Sequence, residues 1–221
     1  MRAKKIIFLF LLTTVFFGAN CQDMGALKQG ISIGYDFSGL IIKLFQPTQT
    51  SGELSLTAGA FKKLYYTVEA GLQKINDKET NFNYLSNGQY IKGGFDYNFY
   101  KRKRPEENNM VFLGVRYGLA SMNHSANNIT IESVKWGNYT MESVPETKVK
   151  AQWIELVGGI RVELIRNFSM GWSGRVHFLT SLKSVNKPFM IPGFGSGYSS
   201  TTIGFNYSIY YTFPIRKYPR E

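Results

Sequence analysis

The sequence predicts an all-β protein, an eight-stranded antiparallel up-and-down transmembrane β-barrel that follows a cleaved signal peptide. Three observations predict it. Eight segments alternate an apolar residue with a small or polar one, the period of a strand with two unlike faces. Short and long connections alternate between those segments, and an export signal stands at the N-terminus.

The chain opens "MRAKKIIFLFLLTTVFFGANCQD": three cations (Arg2, Lys4, Lys5), an apolar run from Ile6 to Phe17, then Gly18, Ala19, Asn20 and Cys21. These are the three regions of a secretory signal, and the run is too short to span a bilayer, which takes ~20 helical residues. Residues 1–21 are expected to be removed, leaving 22–221 as one domain. Two fates compete for Cys21. It could be acylated as the first residue of a lipoprotein, or close an A-x-A-like cleavage site with Ala19. Asn20, where lipoprotein signals place Gly or Ala, favours ordinary cleavage, after which the mature chain has no cysteine and no disulfide.

Losing the three signal cations lowers the net charge from +11 to +8, since residues 1–21 hold no Asp or Glu. Export argues against nucleic acid as the partner of so basic a chain, and favours an anionic lipid or envelope surface. No later stretch approaches 18 apolar residues, so a mature chain that spans a membrane does so with strands.

The elements follow in order. Ile31, Ile33, Tyr35 and Phe37 oppose Gly30, Ser32, Gly34 and Asp36; Leu54, Leu56, Ala58 and Ala60 oppose Glu53, Ser55, Thr57 and Gly59. The third segment sets Leu64, Tyr66, Val68, Ala70 and Leu72 against Tyr65, Thr67, Glu69, Gly71 and Gln73. The fourth sets Ile91, Gly93, Phe95, Tyr97 and Phe99 against Lys92, Gly94, Asp96 and Asn98. In the fifth, Val111, Leu113, Val115, Tyr117 and Leu119 oppose Phe112, Gly114, Arg116, Gly118 and Ala120. The sixth pairs Ile154, Leu156, Gly158, Ile160 and Val162 with Trp153, Glu155, Val157, Gly159 and Arg161. The seventh pairs Met170, Trp172, Gly174, Val176 and Phe178 with Gly171, Ser173, Arg175, His177 and Leu179. The eighth, "TTIGFNYSIYYTF", puts Phe205, Tyr207, Ile209, Tyr211 and Phe213 on one face. Each is close to the ~9 to 11 residues of a tilted membrane strand. Helical period appears only in "GLIIKLF", residues 39–45.

Short turns are expected at 61–64, 101–109 and 164–167, and long irregular links at 38–52, 74–88, 121–148 and 182–200. In a membrane barrel the apolar faces turn to lipid and the small and polar faces turn inward. The lumen would then hold Asp36, Glu53, Glu69, Asp96 and Glu155 with Lys92, Arg116, Arg161, Arg175 and His177, a near-balanced set that burial requires to pair. Structural pairing is the plain reading of that set, and an ion or proton path the functional one, because eight strands leave room only for side chains.

Catalysis has one weak candidate. His124 in "MNHSANN" adjoins Ser121 and Ser125 in the third long link, with Glu132 beyond, which would suit a lipid-modifying hydrolase or acyltransferase. A single loop histidine among Asn and Ser is usually solvated surface. Gly193, Gly195 and Gly197 in "PGFGSGYS" lack the strand-to-helix context of a phosphate loop and read as a flexible loop. "KRKRPEE", with Lys62, Lys63, Arg166, Arg216, Lys217 and Arg220 on its side, reads as a solvated turn region. No pair of His or Cys has metal-ligand spacing, so no metal and no cofactor are expected.

Several stretches together, "YIKGGFDYNFYK", "FLGVRYGLAS", "WIELVGGIRVEL", "IPGF" and "GFNYSIYYTFPI", resemble an uncharacterised family of exported Bacteroidetes proteins classed with the outer-membrane β-barrels. The resemblance implies the barrel and an outer-membrane location and carries no activity or site residues. Thr202, Gly204, Tyr207 and Ile209 resemble the C-terminal signal read by the outer-membrane assembly machinery, although the chain continues past Phe213 into "PIRKYPRE". The reading is a monomeric, non-enzymatic outer-membrane barrel whose partners are lipid and, during biogenesis, that machinery. A lipid-modifying enzyme and a soluble periplasmic ligand-binding barrel are the alternatives.

Overall fold

The computed structural model describes residues 30–60, 63–79, 82–101, 108–127, 130–131, 139–140 and 143–213. The expected signal peptide with Cys21, Glu132, Lys62, most of "KRKRPEE" and the tail with Arg216, Lys217 and Arg220 lie outside them.

Each of the eight alternating segments is a barrel strand. The wall consists of β1 (Ile31–Asp36), β2 (Gln49–Gly59), β3 (Leu64–Glu79), β4 (Phe82–Asn98), β5 (Met110–Asn127), β8 (Val144–Ile165), β9 (Phe168–Lys183) and β12 (Thr201–Phe213). All neighbours are antiparallel, and β12 closes on β1 from Ile31↔Phe213 to Asp36↔Ser208. Two short hairpins complete the sheet structure: β6 (Thr130–Ile131) with β7 (Tyr139–Thr140), and β10 (Met190–Ile191) with β11 (Gly195–Ser196). The helical stretch is observed as α1 (Ser38–Phe45), between β1 and β2.

The wall is inverted relative to a soluble barrel. Glu69, Lys92, Arg116, Glu155 and Arg175 are buried inside, while Leu56, Val68, Val115, Leu156 and Trp172 are exposed outside. On β8 the apolar outward run from Ile154 to Leu164 is about 25 Å tall once strand tilt is allowed for, the height of a lipid-facing band. It ends at one level on four strands. Leu72 is paired with Gln89, Ile91 with Leu119, and Leu119 with Gln152, and beyond them the outward residues are mostly polar, among them Lys74, Asn76, Asn87, Asn123, Lys148 and Lys150, with Leu85 an apolar exception.

The links expected at 74–88 and 121–148 are not irregular over most of their length. The β3–β4 ladder continues to Glu79↔Phe82, and β5 and β8 stay paired up to Ala126↔Val144. Above the band the outward positions turn polar while inward Tyr84, Met122, Ala126 and Val149 stay buried, so the outward half of the alternation is no longer apolar while the backbone ladder persists. The 182–200 link is likewise a structured plug. Ile191 and Phe194 are fully buried against Trp153, Ala120 and Ala151 at the top of the lumen. Gly193 and Gly195 have φ of 72° and 113°, which lets the hairpin turn tightly enough to enter the mouth.

Four inward glycines are slots for aromatic side chains on the adjacent strand. Gly34 is paired with Tyr210, Gly71 with Tyr90, Gly118 with Trp153 and Gly159 with Phe112. A Cβ on Gly118 would lie 2.2 Å from the Trp153 ring, and one on Gly71 2.3 Å from Tyr90. Each large ring thus lies across its partner strand, filling a lumen too narrow for rings on both sides. We expect Gly118→Leu to lower stability in detergent by about 3 kcal/mol or more, read by urea unfolding. Gly93→Ala, on the outward face where a Cβ meets nothing within 4 Å, should leave it within about 0.5 kcal/mol.

Candidate functional site: the charged lumen

Pleat and register bring the buried ions to the same height. Glu69 on β3 is paired with Lys92 on β4, Arg116 on β5 with Glu155 on β8, and Glu155 with His177 on β9. Lys92 Nζ lies 2.8 Å from both Glu53 Oε2 and Glu69 Oε2 and 3.7 Å from Glu155. Arg175 crosses the lumen, its Nη1 2.7 Å from Glu69 and 3.0 Å from Glu155, and its Nη2 3.4 Å from Glu53. Glu69 therefore joins strands on opposite sides of the wall.

Arg116 and Asp96 form a second unit. One guanidinium nitrogen donates to both Asp96 oxygens, at 2.8 and 2.7 Å, and Thr67 Oγ1 donates to Asp96 Oδ2 at 2.8 Å. Neutral donors take up remaining lone pairs: Tyr90 OH donates to Glu53 at 2.8 Å and Trp153 Nε1 to Glu155 at 3.4 Å. Four carboxylates thus face three fixed cations, and His177 Nε2 lies 3.3 Å from Glu155. The void left among Glu69, Arg116, Arg161 and Arg175 is about 20 Å³, room for one water, so this level is filled.

Two residues expected in the network make contacts of other kinds. Asp36 is the last residue of β1, paired across with Glu53, a like charge. It turns to the rim instead, accepting from Ser38 N at 2.8 Å, Tyr207 N at 3.3 Å and the Asn206 side chain. Arg161 lies near the short-turn end, where its guanidinium stacks 4.1 Å from the Tyr210 ring and donates to Thr212 Oγ1 at 3.0 Å. Alternation placed both inside, but height along the axis depends on register.

His177 also holds the plug. Its Nδ1 lies 2.8 Å from the Phe194 carbonyl, which can only accept, so Nδ1 carries the hydrogen in that contact. Sequence reasoning missed this link, because nothing local ties residue 177 to residue 194.

His124 is not a loop residue. It lies within β5 and points inward, 4% exposed, with Nε2 3.3 Å from the Asn186 carbonyl and its ring near Tyr84. Ser121 and Ser125 lie on the opposite face of β5, so the strand pleat keeps both away from His124. On the last strand Phe205, Tyr211 and Phe213 are exposed on the outside of the wall, with Tyr207 and Ile209 half-exposed among them.

Lys92→Met leaves three buried carboxylates short of their shared cation. We expect a loss of about 3 to 5 kcal/mol in urea unfolding, and a smaller loss for Lys92→Met combined with Glu69→Gln than the two single changes add up to.

No curated protein matches the chain. Among solved structures it is similar to a major outer membrane protein from Thermus thermophilus, at 12% identity and TM-score 0.44, with 83% of this chain and 98% of that one covered. It is also similar to Acinetobacter baumannii CarO, at 9% identity and TM-score 0.44, with 86% and 100% covered. A third similar structure is Neisserial surface protein A, at 8% identity and TM-score 0.37, with 83% and 94% covered. A family model, Domain of unknown function (DUF6048), matches residues 5–218, and the chain belongs to that family.

Proposed function

We propose that the protein is a small, non-enzymatic outer-membrane barrel that supports the envelope or binds through its long-connection end. The observation that carries this reading is the partition of the wall, with buried ion pairs inside and a continuous apolar belt outside that ends at one level on four adjacent strands. In water such a belt would be an exposed patch far above the few hundred Å² a soluble monomer tolerates. In lipid it is the required surface, and closure leaves no unpaired strand edge.

The short turns and both ends of the described wall, Gly30 and Phe213, would then face the periplasm, and the β3–β4 and β5–β8 arms the exterior. The soluble alternative needs the apolar faces inside. The lipid-modifying alternative needs a serine beside His124, and the two that neighbour it in sequence point away.

Unboiled and boiled outer-membrane fractions, compared by electrophoresis, should show a heat-dependent mobility shift; a soluble, unshifted protein defeats the reading. A second readout separates lipid from water as the outer solvent. Val115, mid-band and 50% exposed, should cost roughly 2 to 4 kcal/mol when changed to Arg in liposomes, whereas an exposed Val→Arg change on a soluble barrel is nearly neutral.

A further inference from the structure

The outer wall carries a cleft of about 1050 Å³ at the level where the apolar belt ends. Its floor is apolar, from Ala70, Ile91 and Leu119, and its upper margin carries Lys74, Gln89 and Lys150, with Leu40 of α1 at one side. The small Ala70 between Leu54 and Ile91 in the cross-strand row makes the floor concave.

The charge above the floor has one dominant sign. On the outward positions of the β3, β4, β5 and β8 arms from residue 74 upward, the described residues include Lys74, Lys78, Lys148 and Lys150 against the single acid Glu146. Glu146 accepts from Asn123 Nδ2 at 2.8 Å. Lys74 lies in a row with Asn87, Asn123 and Lys148, three strand spacings or roughly 14 Å from end to end. Lys150 sits one outward position lower on β8, paired with Lys183.

We propose that this cleft binds an anionic lipid of the outer leaflet, with phosphates of its head on Lys74 and Lys150 and an acyl chain over Ala70, Ile91 and Leu119. The inference rests on the membrane-barrel reading. The position at the end of the belt selects a lipid over a soluble anion, because the chain-binding floor is continuous with the surface that already faces acyl chains. Lys74 and Lys150 lie three strand spacings apart with an offset of one outward position, roughly 16 Å between their backbones, and two cations so separated suit a head that bears more than one phosphate, such as a diphosphorylated sugar.

The test uses the full chain purified in zwitterionic detergent, with the heat shift recorded first for every sample, and fluorescent diphosphoryl lipid A as probe. Each lysine at an anionic surface contributes roughly fivefold, so Lys74→Gln combined with Lys150→Gln should bind about 30-fold more weakly while keeping the heat shift. A dephosphorylated analogue should bind the unmodified protein with the same loss. Equal binding by the two proteins, or equal binding of the two lipids, overturns the proposal. Displacement by millimolar inorganic phosphate would make this a free-anion site and overturn the assignment to lipid. A heat shift without lipid binding defeats the cleft alone, whereas a missing shift defeats the barrel reading beneath it.

Discussion

The structure depends on closing the backbone ladder between its first and last wall strands. β1 is the shortest strand of the wall, and its pairing with β12 runs only from Ile31↔Phe213 to Asp36↔Ser208. Left open, the two edges would present rows of unpaired N–H and C=O groups, and in the bilayer proposed above each would cost several kcal/mol. The chain reinforces this seam from within. Ser32 Oγ and Thr212 Oγ1 lie 2.9 Å apart across it, Gly34 leaves space for the Tyr210 ring, and Asp36 ties the top of β1 to the backbone of Tyr207. Thr212 N donates to the Asn167 carbonyl at 2.8 Å, which fixes the lower end of β12 to the β8–β9 turn.

Closure around eight strands then dictates the lumen. A wall this tight cannot hold water in bulk, so its interior has to be packed by side chains. Two solutions alternate along the axis. Where an inward ring is present, a glycine on the paired strand leaves room for it, as Gly118 does for Trp153. Where ions are present, each carboxylate contacts more than one donor, and the Lys92 and Arg175 contacts join β2, β3, β8 and β9 across the axis. Buried ion pairs contribute little net stability compared with apolar packing, but removing one partner is expensive. Such a set therefore favours one register over its neighbours, since a two-residue slip of β4 would move Lys92 off Glu69 while leaving the alternation intact.

Much of this was legible in the sequence. The eight segments, the side of the wall on which each named residue lies, and the helix at 39–45 follow from period two and a single break in it. What was not legible has three physical causes. Alternation assigns a face but not a partner, so it puts Asp36 and Arg161 inside without giving the rim contacts of Asp36 or the stacking of Arg161 on Tyr210. Above the belt the outward positions turn polar, so Lys74, Asn76, Asn87 and Asn123 give strands the composition of loops. His124 was misread for that reason. The plug was missed because Gly and Pro mark a turn locally, whereas Ile191 and Phe194 find their partners on β5 and β8, far away in sequence.

The two ends of the barrel therefore have different physical tasks. At the short-turn end Glu163 accepts from Asn108 N at 3.0 Å and Asn167 N at 2.7 Å, tying adjacent turns together at the belt's edge. At the other end the wall is unequal in height. β1 and β2 stop near the top of the belt with α1 beside them, while β3, β4, β5 and β8 rise well beyond it. The plug fills the space between tall and low sides, held by His177 below and packed against Phe82 and Tyr84 above through Phe189. A barrel needed only as a wall could end its strands together at the belt. This one invests ordered backbone, at roughly 1 to 2 kcal/mol of conformational entropy per residue, in arms and a plug beyond the belt. That ordering is directed at the long-connection end, the surface the proposed binding role would use.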